Sequence, residues 1–245
     1  LFRSYIEALE LARAGGGERS PTVAVTLDEI GGLYFRQGRF EQAVEAFERA
    51  IELQKILYPD GHLSTARTLN NLANTRATMR RYQEAEGIYR QAHVLYRKFL
   101  GEESGELATS LSNMAVTQQE MGRLAEAGET LKTVMEMHAR ATGREKRPYL
   151  TSALKYANLR TEQGEAAEAV RVARQVVAGL DQLKPVPKLE SGFARVVLAA
   201  SLIESNRAVE ALEPAREGRG ILAEILQPTH WMRHYADRSE EHTSE

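Results

Sequence analysis

In "TLNNLANTRATMRRYQEAEGIYRQA", residues 68–92, two apolar stripes are separated by the basic pair Arg80-Arg81. Leu69, Leu72 and Ala73 form the first, and Ala85, Ile88, Tyr89 and Ala92 the second. Spacings of three and four put these side chains on one face of a helix, so the stretch predicts two amphipathic helices joined by a short turn. The second helix has counterparts along the chain. "FEQAVEAFERA" at 40–50, "YQEAEGIYRQA" at 82–92, "LAEAGETLKTV" at 124–134, "AAEAVRVARQV" at 166–176 and a weaker "AVEALEPAREG" at 208–218 follow one another at a 42-residue interval. An alanine keeps step through all of them: Ala43, Ala85, Ala127, Ala169 and Ala211.

The preceding segments keep the same interval. A small residue recurs at Gly31, Ala73, Ala115, Ala157 and Ala199, each just after a larger apolar one: Ile30, Leu72, Met114, Tyr156 and Leu198. Gly38, Arg80, Gly122, Gly164 and Asn206 separate the two segments of each unit, and glycine there suits a helix C-terminus in the left-handed region. A second break recurs at Pro59, Gly101, Gly143 and Pro185. Ser20-Pro21 reads as an N-cap followed by proline at the first helical position. Small residues in register on two helices allow a close crossing, with the large neighbours filling the flanks. One such hairpin cannot hide its apolar faces alone, whereas stacked hairpins bury a continuous core. The pattern therefore predicts a helical solenoid.

Leu69, Leu72-Ala73, Tyr82, Ala85, Tyr89 and Ala92 match the tetratricopeptide repeat position for position, and the chain resembles that family over about 1–233. The 42-residue period and "TLNNLAN" at 68–74 are similar to the kinesin-light-chain-like subtype, which is widespread in bacterial proteins. The resemblance implies an all-α, right-handed superhelical solenoid of antiparallel helix pairs. The units expected are 24–65, 66–107, 108–149, 150–191 and a degenerate 192–233, with 1–20 as the second helix of a truncated preceding repeat plus a loop. Tyr5 and Ala8 stand one period before Phe47 and Ala50. The pattern weakens in the later units. Ala173 and Ala215 replace the aromatic, Gly218 replaces the last alanine, and Pro214 inside a second helix should remove a backbone bond and kink it. "LQPTHW" at 226–231 opens a sixth unit whose apolar and small positions would fall on Glu240 and Glu241. The tail "RSEEHTSE", 238–245, looks like a translated sequencing-library adapter and is set aside as non-native.

Composition changes little in this picture. Of 245 residues, 42% are hydrophobic and 27% charged, as in folded proteins, and the formal charge of −2 gives no general attraction to nucleic acid or anionic membrane. The absence of cysteine excludes disulfides, thiolate metal sites and a cysteine nucleophile, and suits a reducing, cytoplasmic setting. No apolar run approaches the ~20 residues of a membrane span.

The resemblance also implies which side chains of the first helices face a concave groove: Asp28, Gly32, Phe35 and Arg36; Arg67, Asn70, Asn74, Ala77 and Thr78; Thr109, Ser112, Val116, Gln119 and Glu120; and Thr151, Asn158, Thr161 and Glu162. From these, Arg36, Arg67, Asn70, Asn74, Ser112, Gln119, Asn158 and Glu162 are the expected peptide-binding set. Asn70 and Asn74 are four apart and carry both donors and acceptors for an extended peptide, while Asn71 has the alternative of bonding a neighbouring repeat. Arg67 suits a ligand carboxylate, but Glu120, Glu162 and Glu204 in later units argue against a full carboxylate clamp and for a ligand of basic or mixed character toward that end.

Catalytic signatures are missing from the sequence. His230 and His234 have metal-ligand spacing without an HExxH or an obvious third ligand. Gly15-Gly16-Gly17 lacks the Gly-Lys-Ser/Thr of a phosphate loop and reads as a flexible joint between units. Arg80-Arg81, Arg90, Arg97 and Lys98 form a basic patch diluted by Glu84 and Glu86. The expectation is a non-catalytic scaffold without cofactor, binding a protein or peptide rather than nucleic acid or membrane. The alternative is a recruiting or sensing arm of a larger bacterial enzyme, because "ILAEILQPTHW" resembles repeat junctions in proteins carrying a serine/threonine kinase domain.

Overall fold

A computed structural model of the chain describes residues 14–227 together with Glu7, Glu10, His230, Met232 and Ala236. The helix expected over 1–13 and the tail at 238–245 otherwise lie outside the described residues. Two compact units divide at Arg123 and Leu124. The first contains α1 (Pro21–Arg36), α2 (Phe40–Leu57), α3 (Leu63–Thr78), α4 (Tyr82–Leu100) and α5 (Gly105–Glu120). The second contains α6 (Leu124–Ala141), α7 (Arg147–Glu162), α8 (Ala166–Asp181), α9 (Lys188–Glu204) and α10 (Ala208–Ile225). The protein is all-α, and the second helices start at Phe40, Tyr82, Leu124, Ala166 and Ala208, each 42 residues after the last.

Within the first unit each helix packs on the next, and the first helices α1, α3 and α5 also touch in sequence. Within the second unit each helix again packs on the next, and α7 touches α9. First helices thus stand side by side in each unit. Among the described residues, no helix is long and apolar enough to cross a membrane.

Each hairpin turn is set by one residue with positive φ: Gly38 (73°), Arg80 (61°), Gly122 (74°), Gly164 (74°) and Asn206 (56°). The following N–H reaches back to satisfy a carbonyl of the last helical turn, as in Arg39 to Tyr34 at 2.9 Å and Arg81 to Arg76 at 2.9 Å. Arg80 carries a β-carbon where three other units have none, and an L-residue in that region costs about 1–2 kcal/mol. Arg80→Gly is therefore expected to stabilise the protein by about 0.5–1 kcal/mol, once the greater freedom of glycine in the unfolded chain is subtracted. A urea midpoint that stays put or falls would count against this. At the start of α1, Ser20 Oγ accepts from the Val23 N–H at 3.3 Å ahead of Pro21, the cap expected from the sequence.

Ala43, Ala85, Ala127, Ala169 and Ala211 are all fully buried. Gly31 shows why the matching position must be small. A β-carbon there would lie 2.6 Å from ring carbons of Phe47. Two sequence readings are corrected by the packing. Gly15 and Gly16 are helical, so the joint is confined to Gly17, with φ of 75°. α10 continues through Pro214 to Ile225, with no backbone N–H to donate at the proline. Gly218 is no degeneration of the repeat: a β-carbon there would lie 2.8 Å from the Gly192 carbonyl oxygen, so it allows α9 and α10 to approach closely. Beyond α10, Ala236 is buried with Val196 and Leu222, flanked by Leu226 and Met232.

Candidate peptide-binding pocket

The first helices of the first unit carry a pocket of about 180 Å³, lined by Gly32, Phe35, Arg36, Phe47, Asn71 and Asn74. Its origin is local. Because Gly31 has no side chain, the Phe47 ring from α2 slides in against α1, and it lines the pocket beside Gly32 and Phe35. The floor is therefore apolar, while Arg36 and the two asparagines supply charge and hydrogen-bonding groups.

Asn74 is held by two donors. Tyr89 Oη donates to its Oδ1 at 2.6 Å, and Asn113 Nδ2 donates to the same oxygen at 3.0 Å. Burial pushes the Tyr89 phenol well above its ordinary range, so it stays a donor. With both lone-pair directions of Oδ1 engaged, the Asn74 amide has its two N–H groups left to offer. Asn71 Nδ2 donates to Asp28 Oδ1 at 3.4 Å, joining α3 to α1, and Asn71 keeps its carbonyl as an acceptor. Burial raises the Asp28 carboxyl, an effect countered by hydrogen bonds from Thr68 and Asn71. The pocket can thus present one amide donor and one amide acceptor above an aromatic floor, the complement of a peptide group with an apolar side chain beside it.

The structure separates the expected site residues. Arg36 and Asn74 come together here, with Gly32 and Phe35. Asn70 does not join them, contrary to its four-residue spacing from Asn74: its Oδ1 is buried without a hydrogen-bond partner among the described residues. The partner of Asn74 in the pocket is Asn71, three residues earlier, which the sequence reading assigned only a neighbour-bonding role. Ser112 is also corrected: it is 6% exposed, inside the packing of α5 rather than open to a ligand. Arg67 is exposed and its Nη2 sits 3.5 Å from Glu106 Oε1, an open ion pair of the kind that contributes ~0–1 kcal/mol. Gln119 is half-buried near the end of α5, and the neighbouring Glu120 accepts from Tyr82 Oη at 3.1 Å. In the second unit, Asn158 Nδ2 donates to Glu162 Oε1 at 2.9 Å within α7, so these two engage each other.

Outside this pocket, Glu86 is buried between Arg90, at 2.9 Å, and Arg123. Burial alone would raise its carboxyl, but the hydrogen bonds from Arg123 and Arg90 outweigh that and hold it below the usual range. Among the described residues no group of three or more His, Cys, Asp or Glu is placed to hold a metal. His230 accepts from the Met232 N–H at 3.2 Å through Nδ1, and His234 lies outside the described residues.

No curated protein matches the sequence. Solved structures do. A protein from P. vanneervenii, BtubC (BKLC), superposes with a TM-score of 0.78 at 16% identity, covering 94% of this chain and 93% of that one. A putative kinesin light chain from Podosopora anserina with nearly identical TPR-like repeats gives 0.71 at 25% identity, over 85% and 99%. YrrB, described as a TPR protein with an unusual peptide-binding site, gives 0.58 at 14% identity, over 97% and 100%. The family model of the tetratricopeptide repeat matches residues 2–56, 64–138 and 106–182. With most of its length matched and its helices paired at a 42-residue interval, the chain belongs to the tetratricopeptide repeat family.

Proposed function

We propose that the chain is a non-catalytic interaction scaffold that holds an extended peptide segment of a partner protein along its first helices, anchored in the first unit at the Gly32–Phe35–Asn74 pocket. The observation that carries this reading is Asn74: a side-chain amide fixed by Tyr89 and Asn113 beside an aromatic floor. A group fixed in advance loses less ordering entropy on binding. The floor favours an apolar peptide side chain, and Arg36 favours an acidic residue close to it. The description of YrrB as peptide-binding is consistent with this use of the fold.

Selection of a random peptide library against the whole chain tests the reading. Enriched sequences should pair an apolar residue with a nearby Asp or Glu. Gly32→Leu, which fills the pocket, and Asn74→Ala should each lower affinity for them by about tenfold or more, or ~1.4 kcal/mol. If selection enriches nothing, or if the enriched peptides bind both variants as tightly as the parent, the reading fails.

A further inference from the structure

The second unit has a cavity of its own, of about 200 Å³, over the side of α7 that faces α6 and α8. Tyr149 and Tyr156, seven apart on α7, line it, and each is only 6% exposed. Met135 of α6 and Val172 of α8 add apolar wall, while Lys132, Arg144 and Arg171 bring cations to it. Glu136 and Glu168 also line it, which leaves an excess of one positive charge.

Comparison along the repeat shows what this groove lacks. Across α3, Arg76 reaches Glu48 of α2 at 2.8 Å and Glu84 of α4 at 3.5 Å, so charge ties the two second helices together. Across α9, Arg174 of α8 pairs with Glu210 of α10 at 2.7 Å, and Arg195 joins Asp181 to Glu217. Across α7 the residues in register are Lys132, Arg160 and Glu168. Here Arg160 turns to Gln163 at 2.7 Å and lies over the Tyr156 ring at 4.8 Å. Glu168 is taken by Arg171 through two hydrogen bonds of 2.9 and 2.7 Å. Among the described residues, neither Lys132 nor Arg144 makes a direct ion pair with a carboxylate, although the Lys132 charge helps to lower the Glu168 carboxyl and Glu136 lines the same cavity. The phenol hydroxyls of Tyr149 and Tyr156 have no hydrogen-bond partner there either, whereas those of Tyr82 and Tyr89 do.

We propose that this cavity binds a compact aromatic anion, a ring bearing a carboxylate or phosphate. The ring packs on Tyr149 and Tyr156, in the edge-to-face or offset contacts that aromatic pairs prefer. The anionic group bridges Lys132 and Arg144 and accepts from the phenol hydroxyls, making the charge-assisted bonds that an intramolecular carboxylate makes in the neighbouring grooves. The wall mixes two aromatic rings and aliphatic side chains with converging charged groups, so one small ligand can meet both a ring surface and cations there. The same chemistry is offered by a free aryl phosphate or carboxylate and by a phosphotyrosine side chain on a peptide.

Calorimetric and NMR titration of the whole chain with phenyl phosphate, benzoate and a short phosphotyrosine peptide tests the site. Saturable binding of at least one probe is expected, tighter than that of inorganic phosphate, with shifts at Tyr149 and Tyr156. Lys132→Ala with Arg144→Ala should weaken it about tenfold or more. Tyr149→Phe with Tyr156→Phe keeps the rings and should weaken it severalfold while leaving the helical circular dichroism unchanged. Tighter binding of phenyl phosphate would mark a free ligand as the occupant and tighter binding of the peptide a protein-borne one; both support the site. The proposal is overturned if no probe saturates below about 10 mM, if inorganic phosphate binds as well as phenyl phosphate, or if the Lys132/Arg144 variant binds unchanged.

Discussion

Leu150→Ala is expected to destabilise the second unit by about 2–5 kcal/mol, and adding Gly179→Leu should restore most of that loss. The reasoning starts from an exchange of sizes along the repeat. In the first hairpin, Ala24 of α1 shares a buried cluster with Leu53 of α2: small on the first helix, large on the second. At the same two positions α7 has Leu150 and α8 has Gly179, so the sizes are reversed. Leu150 is 1% exposed, and a β-carbon on Gly179 would lie 2.6 Å from Leu150 Cδ2. The α9–α10 hairpin returns to the usual order, with Ile221 Cγ2 3.1 Å from where a Gly192 β-carbon would stand. Leu150→Ala alone leaves a void that Gly179 cannot fill. Gly179→Leu alone drives a side chain into Leu150, at an overpacking cost of about 1–3 kcal/mol or more. Together they recreate the arrangement of the first hairpin, and replacing a glycine in the last turn of α8 contributes at most ~1 kcal/mol more. Urea unfolding of the four species gives the coupling directly. Single effects that simply add, with no recovery in the double variant, would show that the two sites do not share one space.

That exchange also shows how far the fold could be read from residues alone. The periodic features were legible because stacking repeats one physical problem: the alanines from Ala43 to Ala211 are each fully buried, and each turn residue from Gly38 to Asn206 has positive φ. Departures from the period were harder. Gly218 looked like a lost alanine, yet it is matched by Gly192 on the facing helix. Such compensation links residues 26 apart in sequence, which a comparison of equivalent positions does not display. Leu150 and Gly179 are the same case. The candidate site was legible only in part for a related reason. Helical spacing placed Asn70 and Asn74 on one face, but a helix face spans more than a ligand touches. The pocket is set by the missing side chain at Gly31 and the ring of Phe47 that fills the space, and that contact selects Asn71 and Asn74. The signal present in the sequence was the glycine at a position held elsewhere by alanine, together with phenylalanine in the same unit.

The period also carries a polar contact between successive hairpins, and from it follows an acid sensitivity. Thr68, Ser110 and Ser152 occupy one repeat position, and each hydroxyl meets a polar side chain from the preceding second helix. Gln54 Nε2 donates to Thr68 Oγ1 at 3.1 Å, His93 Nε2 lies 3.0 Å from Ser110 Oγ, and His138 Nδ1 lies 2.9 Å from Ser152 Oγ. His93 is 3% exposed; burial, with the nearby Arg97 and Arg90 charges, pushes its imidazole down to about 4, against the weaker pull of its Ser110 bond. His138 is lowered in the same direction, burial again being the largest cause. A folded-state value below the unfolded one means that the unfolded chain takes up the proton first. Stability is therefore full above about pH 6.5, falls as the pH drops toward about 4, and changes no further from this group below that. For His93 the loss is about 3 kcal/mol over that window, at 1.36 kcal/mol per pH unit. Asp28, raised by burial, works in the opposite sense as the pH falls, and Glu86, held low by Arg123 and Arg90, adds its own loss only in more acid solution. His93→Gln isolates the effect, because it removes the titrating ring and leaves a neutral amide, the group that bonds the equivalent hydroxyl from Gln54, about one turn further along its own helix. Urea unfolding at pH 7, 5.5 and 4.5 should show the parent losing about 2.5 kcal/mol more than the variant across that range, whatever their difference at pH 7. Parallel curves for the two proteins would mean that His93 is protonated in the fold at little cost, and that its contact with Ser110 does not depend on the neutral ring.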